Sequence, residues 1–174
     1  YDAPEMVHTT LQKATQFLLD YIQSYKNVGA HGIVIAEPAA GLLSPDLCGE
    51  FSCPYIRQIV DAVQDDDFLV IYHNCGPTVS KMVPQLLETG AKAYHFGNAV
   101  DMKEMLEKMP DNVLVMGNVD PVSSFRNGTP ESIRNDTLQL LNSCGEHPNF
   151  VISSGCDIPP ATPWENLDAF FAAV

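Results

Sequence analysis

The chain has 174 residues, is 45% hydrophobic and 18% charged, and carries a formal net charge of −13. Such a composition suits one globular domain with a real core and excludes a disordered chain. The acid excess argues against surfaces for nucleic-acid phosphates or anionic lipid, and no apolar run approaches the ~20 residues of a membrane helix, so neither nucleic acid nor membrane is an expected partner.

Residues 4–28 carry Leu11, Ala14, Phe17, Leu18, Tyr21, Ile22 and Tyr25 at helical spacing, and Gly29 and Gly32 end the pattern. Residues 32–36 read as a first strand closed by Glu37-Pro38. After a loop, Ser44-Pro45 starts a helical stretch that runs to Gln64, with serine as the cap and proline in the first turn. The run from Phe68 to Tyr72 is a second strand ending at His73. Residues 78–87 form the next helix and 91–96 a third strand, ending in His95-Phe96-Gly97-Asn98. A short helix over 101–109 stops at Pro110, and residues 112–117 make a fourth strand, followed by Asn118-Val119-Asp120-Pro121. Thr129-Pro130 starts a helix that runs to Ser143. Residues 150–153 are a fifth strand before Gly155-Cys156-Asp157, and Thr162-Pro163 opens a final helix through Phe171.

A helix followed by five strand–helix units implies an α/β fold with a parallel sheet. The strands are apolar throughout, which predicts burial on both faces. Polar residues cluster after each strand, as in (β/α)8 barrels of the TIM type, whose active sites sit at the C-terminal strand ends. Five units are fewer than eight, and the chain starts at Tyr1 rather than Met. The expectation is therefore a single unit over 1–174 that forms the C-terminal part of a barrel of ~250 residues or more.

His73 and Cys75 are two apart at a strand end, so both side chains point to one face. Cys156 follows another strand. His, Cys and Cys converging from two strand ends make a zinc site with a position left open for substrate. Five cysteines are an odd count without a compact disulfide framework, and no secretory signal pattern opens the chain. Reduced thiols in a cytoplasmic protein are expected, with Cys48, Cys53 and Cys144 as buried fillers.

Three stretches carry a family likeness: Ala40-Gly41-Leu42-Leu43-Ser44-Pro45, Gly117-Asn118-Val119-Asp120-Pro121, and Ile158-Pro159-Pro160-Ala161-Thr162-Pro163-Trp164-Glu165-Asn166. They resemble the uroporphyrinogen decarboxylase superfamily, over essentially the whole chain and the C-terminal half of that barrel. His73-Asn74-Cys75 with Cys156 resembles its zinc-dependent methyltransferase branch. Cobalamin-independent methionine synthases use a related His-x-Cys…Cys arrangement.

The resemblance implies transfer of a methyl group from a methylated corrinoid, held by a corrinoid protein, to a small thiol substrate such as coenzyme M. Zinc on soft thiolates would deprotonate the incoming thiol, whose free pKa is about 8.5. His73, Cys75 and Cys156 are the expected metal ligands, Glu37 and Asp157 the candidate catalytic carboxylates, and Asn118 and Asp120 the candidate cofactor-binding residues.

Zinc relatives are expected to carry an acid after the next strand, where this chain reads His95-Phe96-Gly97-Asn98. Glu37, His95, Asp157, water or the substrate thiol are the alternatives for a fourth ligand. The arginine-bearing N-terminal segment that binds substrate in the family has no counterpart in this sequence. The rival expectations are a tetrapyrrole-binding decarboxylase without zinc and a non-catalytic corrinoid-binding module. An opened barrel has two bare strand edges and an uncovered apolar layer, which predicts a homodimer or pairing with a missing N-terminal half.

Overall fold

Each strand is a short β-branched or aromatic run closed by glycine, proline or a polar residue, and turns of that kind let the chain reverse through a helix after every strand. The computed structural model describes residues 2–174. Its five strands, β1 (Gly32–Ala36), β2 (Leu69–Asn74), β3 (Ala93–Phe96), β4 (Leu114–Val119) and β5 (Phe150–Ser154), form one sheet in chain order. All four neighbouring pairs are parallel. This is the topology of a partial TIM-type barrel.

The helices are α1 (Pro4–Asn27), α2 (Pro45–Phe51), α3 (Cys53–Val63), α4 (Val83–Leu87), α5 (Met102–Lys108), α6 (Pro130–Cys144) and α7 (Trp164–Phe171). Two expected helices are each broken once. Ser52 separates α2 from α3, because Pro54 lacks the N–H that would continue the helix and its ring crowds the preceding turn. Pro84 acts alike at Met82, leaving a 3-10 turn over Val79–Lys81 before α4. A π-type turn over Pro121–Arg126 has no clear signature in the sequence; Asp120 caps it by accepting from the Val122 and Ser123 N–H groups at 2.8 Å each. Capping by Ser44, Asp101 and Thr129 starts α2, α5 and α6.

One face of the sheet is buried under the helices. Ile59, Val60, Phe68, Val70, Tyr72, Tyr94, Phe96 and Val115 belong to that core. A smaller cluster of Val119, Phe125, Ile133 and Phe170 seats α7, where buried Asn166 donates to the Phe125 and Gly128 carbonyls at 2.8 and 3.0 Å. The opposite face is open, and burial on both faces is not what the structure has. Val34 is 60% exposed and Ala36 is also exposed. Period-two alternation sends Ile33 and Ile35 toward the helices and Val34 and Ala36 the other way, where no described residue covers them. No helix among the described residues is long and apolar enough to cross a membrane.

The same alternation decides the surroundings of Glu37, one of the candidate catalytic carboxylates. Glu37 lies on the helix side with Ile35 and is absent from the lining of the cavity on the open face. Its carboxylate accepts from the Ser52 hydroxyl and, at 3.3 Å, from Tyr72. Tyr72 in turn accepts from the Asn74 amide at 3.2 Å, and Asn74 Oδ1 accepts from the Gly76 N–H at 2.9 Å. Glu37 therefore braces the ends of β1 and β2 against the α2–α3 junction. Gly41 and Gly76 allow the close approach beside this network: a Cβ on Gly76 would lie 2.5 Å from Gly41 Cα.

Burial raises the Glu37 carboxyl above the ordinary range, and the bonds from Ser52 and Tyr72 offset part of the shift. The unfolded value is about 4.3. A raised folded value means that the stability from Glu37 is full below the unfolded value and is lost as pH rises through the folded one. Urea unfolding from about pH 4 to about pH 8 is expected to show wild type losing stability relative to Glu37→Gln as pH increases. A difference that stays constant with pH would contradict a buried carboxylate here.

Candidate metal centre

Strand register builds the site. Ala36 lies opposite His73, His73 opposite His95, and His95 opposite Met116, so these side chains share the open face. Cys75 follows β2 on the same face, and Cys156 arrives from the turn after β5, where the Gly155 N–H donates to the Val119 carbonyl at 2.7 Å. Gly97 leaves Cys75 its space, since a Cβ there would sit 2.6 Å from Cys75 Cβ.

The ligand atoms of His73, Cys75 and Cys156 lie within 4.8 Å of one another, and His73 Nε2 is 3.5 Å from Cys156 Sγ. Tetrahedral zinc with bonds of about 2.0–2.3 Å needs ligand atoms roughly 3.5–3.8 Å apart. One imidazole and two thiols at this spacing fit zinc after small side-chain movements, and soft sulfur donors disfavour magnesium or calcium.

Hydrogen bonds select the tautomers. His95 Nε2 is 2.8 Å from the Ser154 carbonyl oxygen, which only accepts, so Nε2 carries the hydrogen; Ser153 Oγ lies 2.9 Å from the same nitrogen. A neutral His95 then has a bare Nδ1, which is 2.6 Å from His73 Nδ1. His73 Nδ1–H is the donor, also facing the His95 carbonyl at 3.1 Å. That leaves His73 Nε2 bare and directed at Cys156, as a metal ligand requires.

Burial holds both imidazoles below the ordinary histidine range. At His73 the bond to the His95 carbonyl and nearby Asp157 oppose the shift; at His95 the neighbouring His73 reinforces it. The Cys75 thiol is pushed up, first by burial and then by Cys156 beside it. A bound cation reverses that last balance, because a coordinated thiol loses its proton.

His95 is thus no fourth ligand: both its nitrogens are engaged, and it orients His73. The sequence offers no signal for Ser153 and Ser154 as its partners, which lie 58 and 59 residues away. The three remaining cysteines are buried elsewhere, with Cys48 and Cys53 Sγ atoms 3.6 Å apart at the α2–α3 junction.

An open cavity of about 570 Å³ surrounds the ligands. Val34, Ala36, Pro38, Ile71, Met116 and Ile158 form its apolar wall, and Ser153, Ser154 and Asp157 its polar part. Asp157 lies in this lining but outside the ligand triad. Asn118 and Asp120 do not. Asn118 Nδ2 donates to the Gly97 and Val100 carbonyls at 3.0 and 2.8 Å, and Asp120 accepts from Asn98 Nδ2 at 2.9 Å besides capping the following turn. Both border a separate cavity with Asp101, Lys103 and Asp136. Through these bonds both side chains order the loops after β3 and β4, away from the cavity around His73.

Comparison with known proteins agrees with this architecture. The family model for uroporphyrinogen decarboxylase (URO-D) matches residues 1–174. Uroporphyrinogen decarboxylase from Coxiella burnetii (strain RSA 493 / Nine Mile phase I) is 29% identical over 179 residues, covering 100% of this chain and 48% of that protein. Uroporphyrinogen decarboxylase 2, chloroplastic, from Oryza sativa subsp. japonica is 33% identical over 177 residues, covering 98% of this chain and 43% of that protein. The chain spans about half the length of these relatives. A solved methyltransferase from Methanosarcina mazei superposes with a TM-score of 0.75 at 26% identity, over 92% of this chain and 46% of that one. With the family model matched from end to end and the parallel strands in barrel order, the chain belongs to the uroporphyrinogen decarboxylase family.

Proposed function

We propose that this chain is the metal-bearing half of a methyltransferase that moves a methyl group from a methylated corrinoid protein to a thiol, coenzyme M or a relative of it. The observation that carries the reading is the convergence of His73 Nε2 with the Cys75 and Cys156 thiols in an open cavity. The likeness to a methyltransferase fold supports it. Zinc held by these three residues would supply Lewis acidity toward the incoming sulfur. His95 keeps His73 in the ligating tautomer, and the apolar wall limits water around the reacting sulfur. In the reaction a sulfur–carbon bond forms as the cobalt–carbon bond breaks. The bonding pair stays on the corrinoid cobalt, and the thiol proton leaves to solvent.

A decarboxylase-like, tetrapyrrole-binding activity is the second reading, favoured by the curated relatives. It leaves the convergence of the Cys75 and Cys156 thiols with His73 without a role. Porphyrinogen turnover by metal-free protein would favour it over methyl transfer. For assembly, we extend the proposal to a second copy or further barrel strands over the open face, because the outer edges of β1 and β5 have no strand partner among the described residues.

Elemental analysis is expected to find about one zinc per chain, with stoichiometric zinc lost in each of His73→Ala, Cys75→Ala and Cys156→Ala. Full zinc in all three variants would reject this ligand set. His95→Phe is expected to weaken zinc binding about 10–100-fold in competition with a chelator; an unchanged affinity would show that the His95–His73 bond does not serve the metal. Light scattering should detect association at high protein concentration, and a monodisperse monomer would remove the assembly proposal.

A further inference from the structure

Two thiols outside the metal centre also meet. The Cys48 and Cys53 Sγ atoms lie 3.6 Å apart, and the two residues are 0% and 2% exposed. Sequence spacing alone does not bring them together. In a continuous α-helix, residues five apart lie roughly 140° apart around the axis. The break at Ser52, between α2 and α3, is what folds one thiol onto the other. Both thiols are free. A disulfide is about 2.0 Å long, so the sulfurs have about 1.6 Å to close, a distance within reach of side-chain rotation.

The two thiols are not equivalent. The hydrogen bond with Cys53 holds the Cys48 thiol below the ordinary thiol range, and the same bond, with burial, pushes Cys53 up. Cys48 is therefore the sulfur that supplies a thiolate, while Cys53 keeps its proton beside it. Access comes from α2 itself. This helix has seven residues, contains Gly49, and has Cys48 as its one buried residue. A helix so short is marginal by itself, and with one buried side chain to hold it, it belongs to the low-stability end of the fold and opens locally.

We infer that Cys48 and Cys53 are a redox modification site, which a small hydroperoxide converts from a dithiol to a disulfide that fastens α2 to α3. The Cys48 sulfur attacks one peroxide oxygen: an S–O bond forms, the O–O bond breaks, and the departing oxygen leaves with the Cys48 proton as water. The Cys53 sulfur then attacks the Cys48 sulfur: the S–S bond forms, the S–O bond breaks, and the hydroxyl leaves with the Cys53 proton as a second water. The two sulfurs together give up two electrons, which reduce one peroxide. Ser52 lies inside the ring so closed, and its hydroxyl donates to Glu37, so the bond also secures the residue that braces β1. The site stands apart from the metal centre and does not depend on the function proposed for it.

Trypsin isolates the pair. No Lys or Arg lies between Lys26 and Arg57, so residues 27–57 leave as one peptide that carries Cys48 and Cys53 and no other cysteine. In the test, the reduced full chain is treated with hydrogen peroxide, unfolded in iodoacetamide, digested and weighed by mass spectrometry. The peptide is expected to be lighter than the dithiol form by two hydrogens and to carry no alkyl group, and dithiothreitol given before alkylation restores both thiols. In Cys53→Ser the bond cannot close, and dimedone is expected to label Cys48 as its sulfenic acid. Hydrogen exchange of the α2 amides is expected to slow about tenfold or more in the oxidised wild type. Two alkyl groups on the peptide after peroxide, or Cys48 bonded to a cysteine other than Cys53, would overturn the site. A Cys48–Cys53 bond with unchanged exchange would overturn the fastening of α2.

Discussion

The parallel register of β2 on β3 is the constraint on which the site depends. It sets His73 directly opposite His95. Their Nδ1 atoms then meet at 2.6 Å, and His95 is anchored on its far side by the Ser154 carbonyl at the end of β5. A slip of one residue would turn one of the two imidazoles toward the helices and part the pair, because side-chain direction alternates along a strand. The hydrogen-bonded ladder therefore delivers more than a scaffold: it decides which nitrogen of His73 is bare.

The two faces of the sheet divide the work. On the helix side, Glu37, Ser52, Tyr72, Asn74 and Gly76 form a chain of hydrogen bonds that holds the strand ends. Asn74 belongs to this network, while its neighbours His73 and Cys75 face the cavity. The His-x-Cys spacing is thus backed from behind by the residue in between. On the open side burial holds the His73 imidazole below its ordinary range and pushes the Cys75 thiol up. One imidazole and two sulfurs suit a cation of soft preference, which is the chemistry of the zinc we propose for them.

Much of the fold was legible in the residues. Five apolar runs separated by capped helical stretches leave few topologies besides a parallel sheet, and helix breaks at Ser52 and Met82 follow from Pro54 and Pro84 once those prolines are given their full weight. The shared face of His73 and Cys75 was legible too, because a two-residue spacing at a strand end has a direct geometric meaning. The surroundings of Glu37, Asn118 and Asp120 were not legible, for one shared reason. Position after a strand places a residue at the correct end of the sheet but does not state its face or its partners. Glu37 turns to the helix side, and Asn118 and Asp120 spend their polar atoms on loop backbone.

What the amino-acid sequence determined by itself was local: which runs become strands, where helices start, and that His73 and Cys75 share a face. Those follow from backbone propensity and the two-residue period, which act over a few residues. The tertiary structure alone decided the rest: the arrival of Cys156 beside His73 across 83 residues, the tautomer relay through His95, and the bracing role of Glu37. Each depends on a contact between distant segments, and the strand register that creates those contacts exists only once the whole sheet has formed.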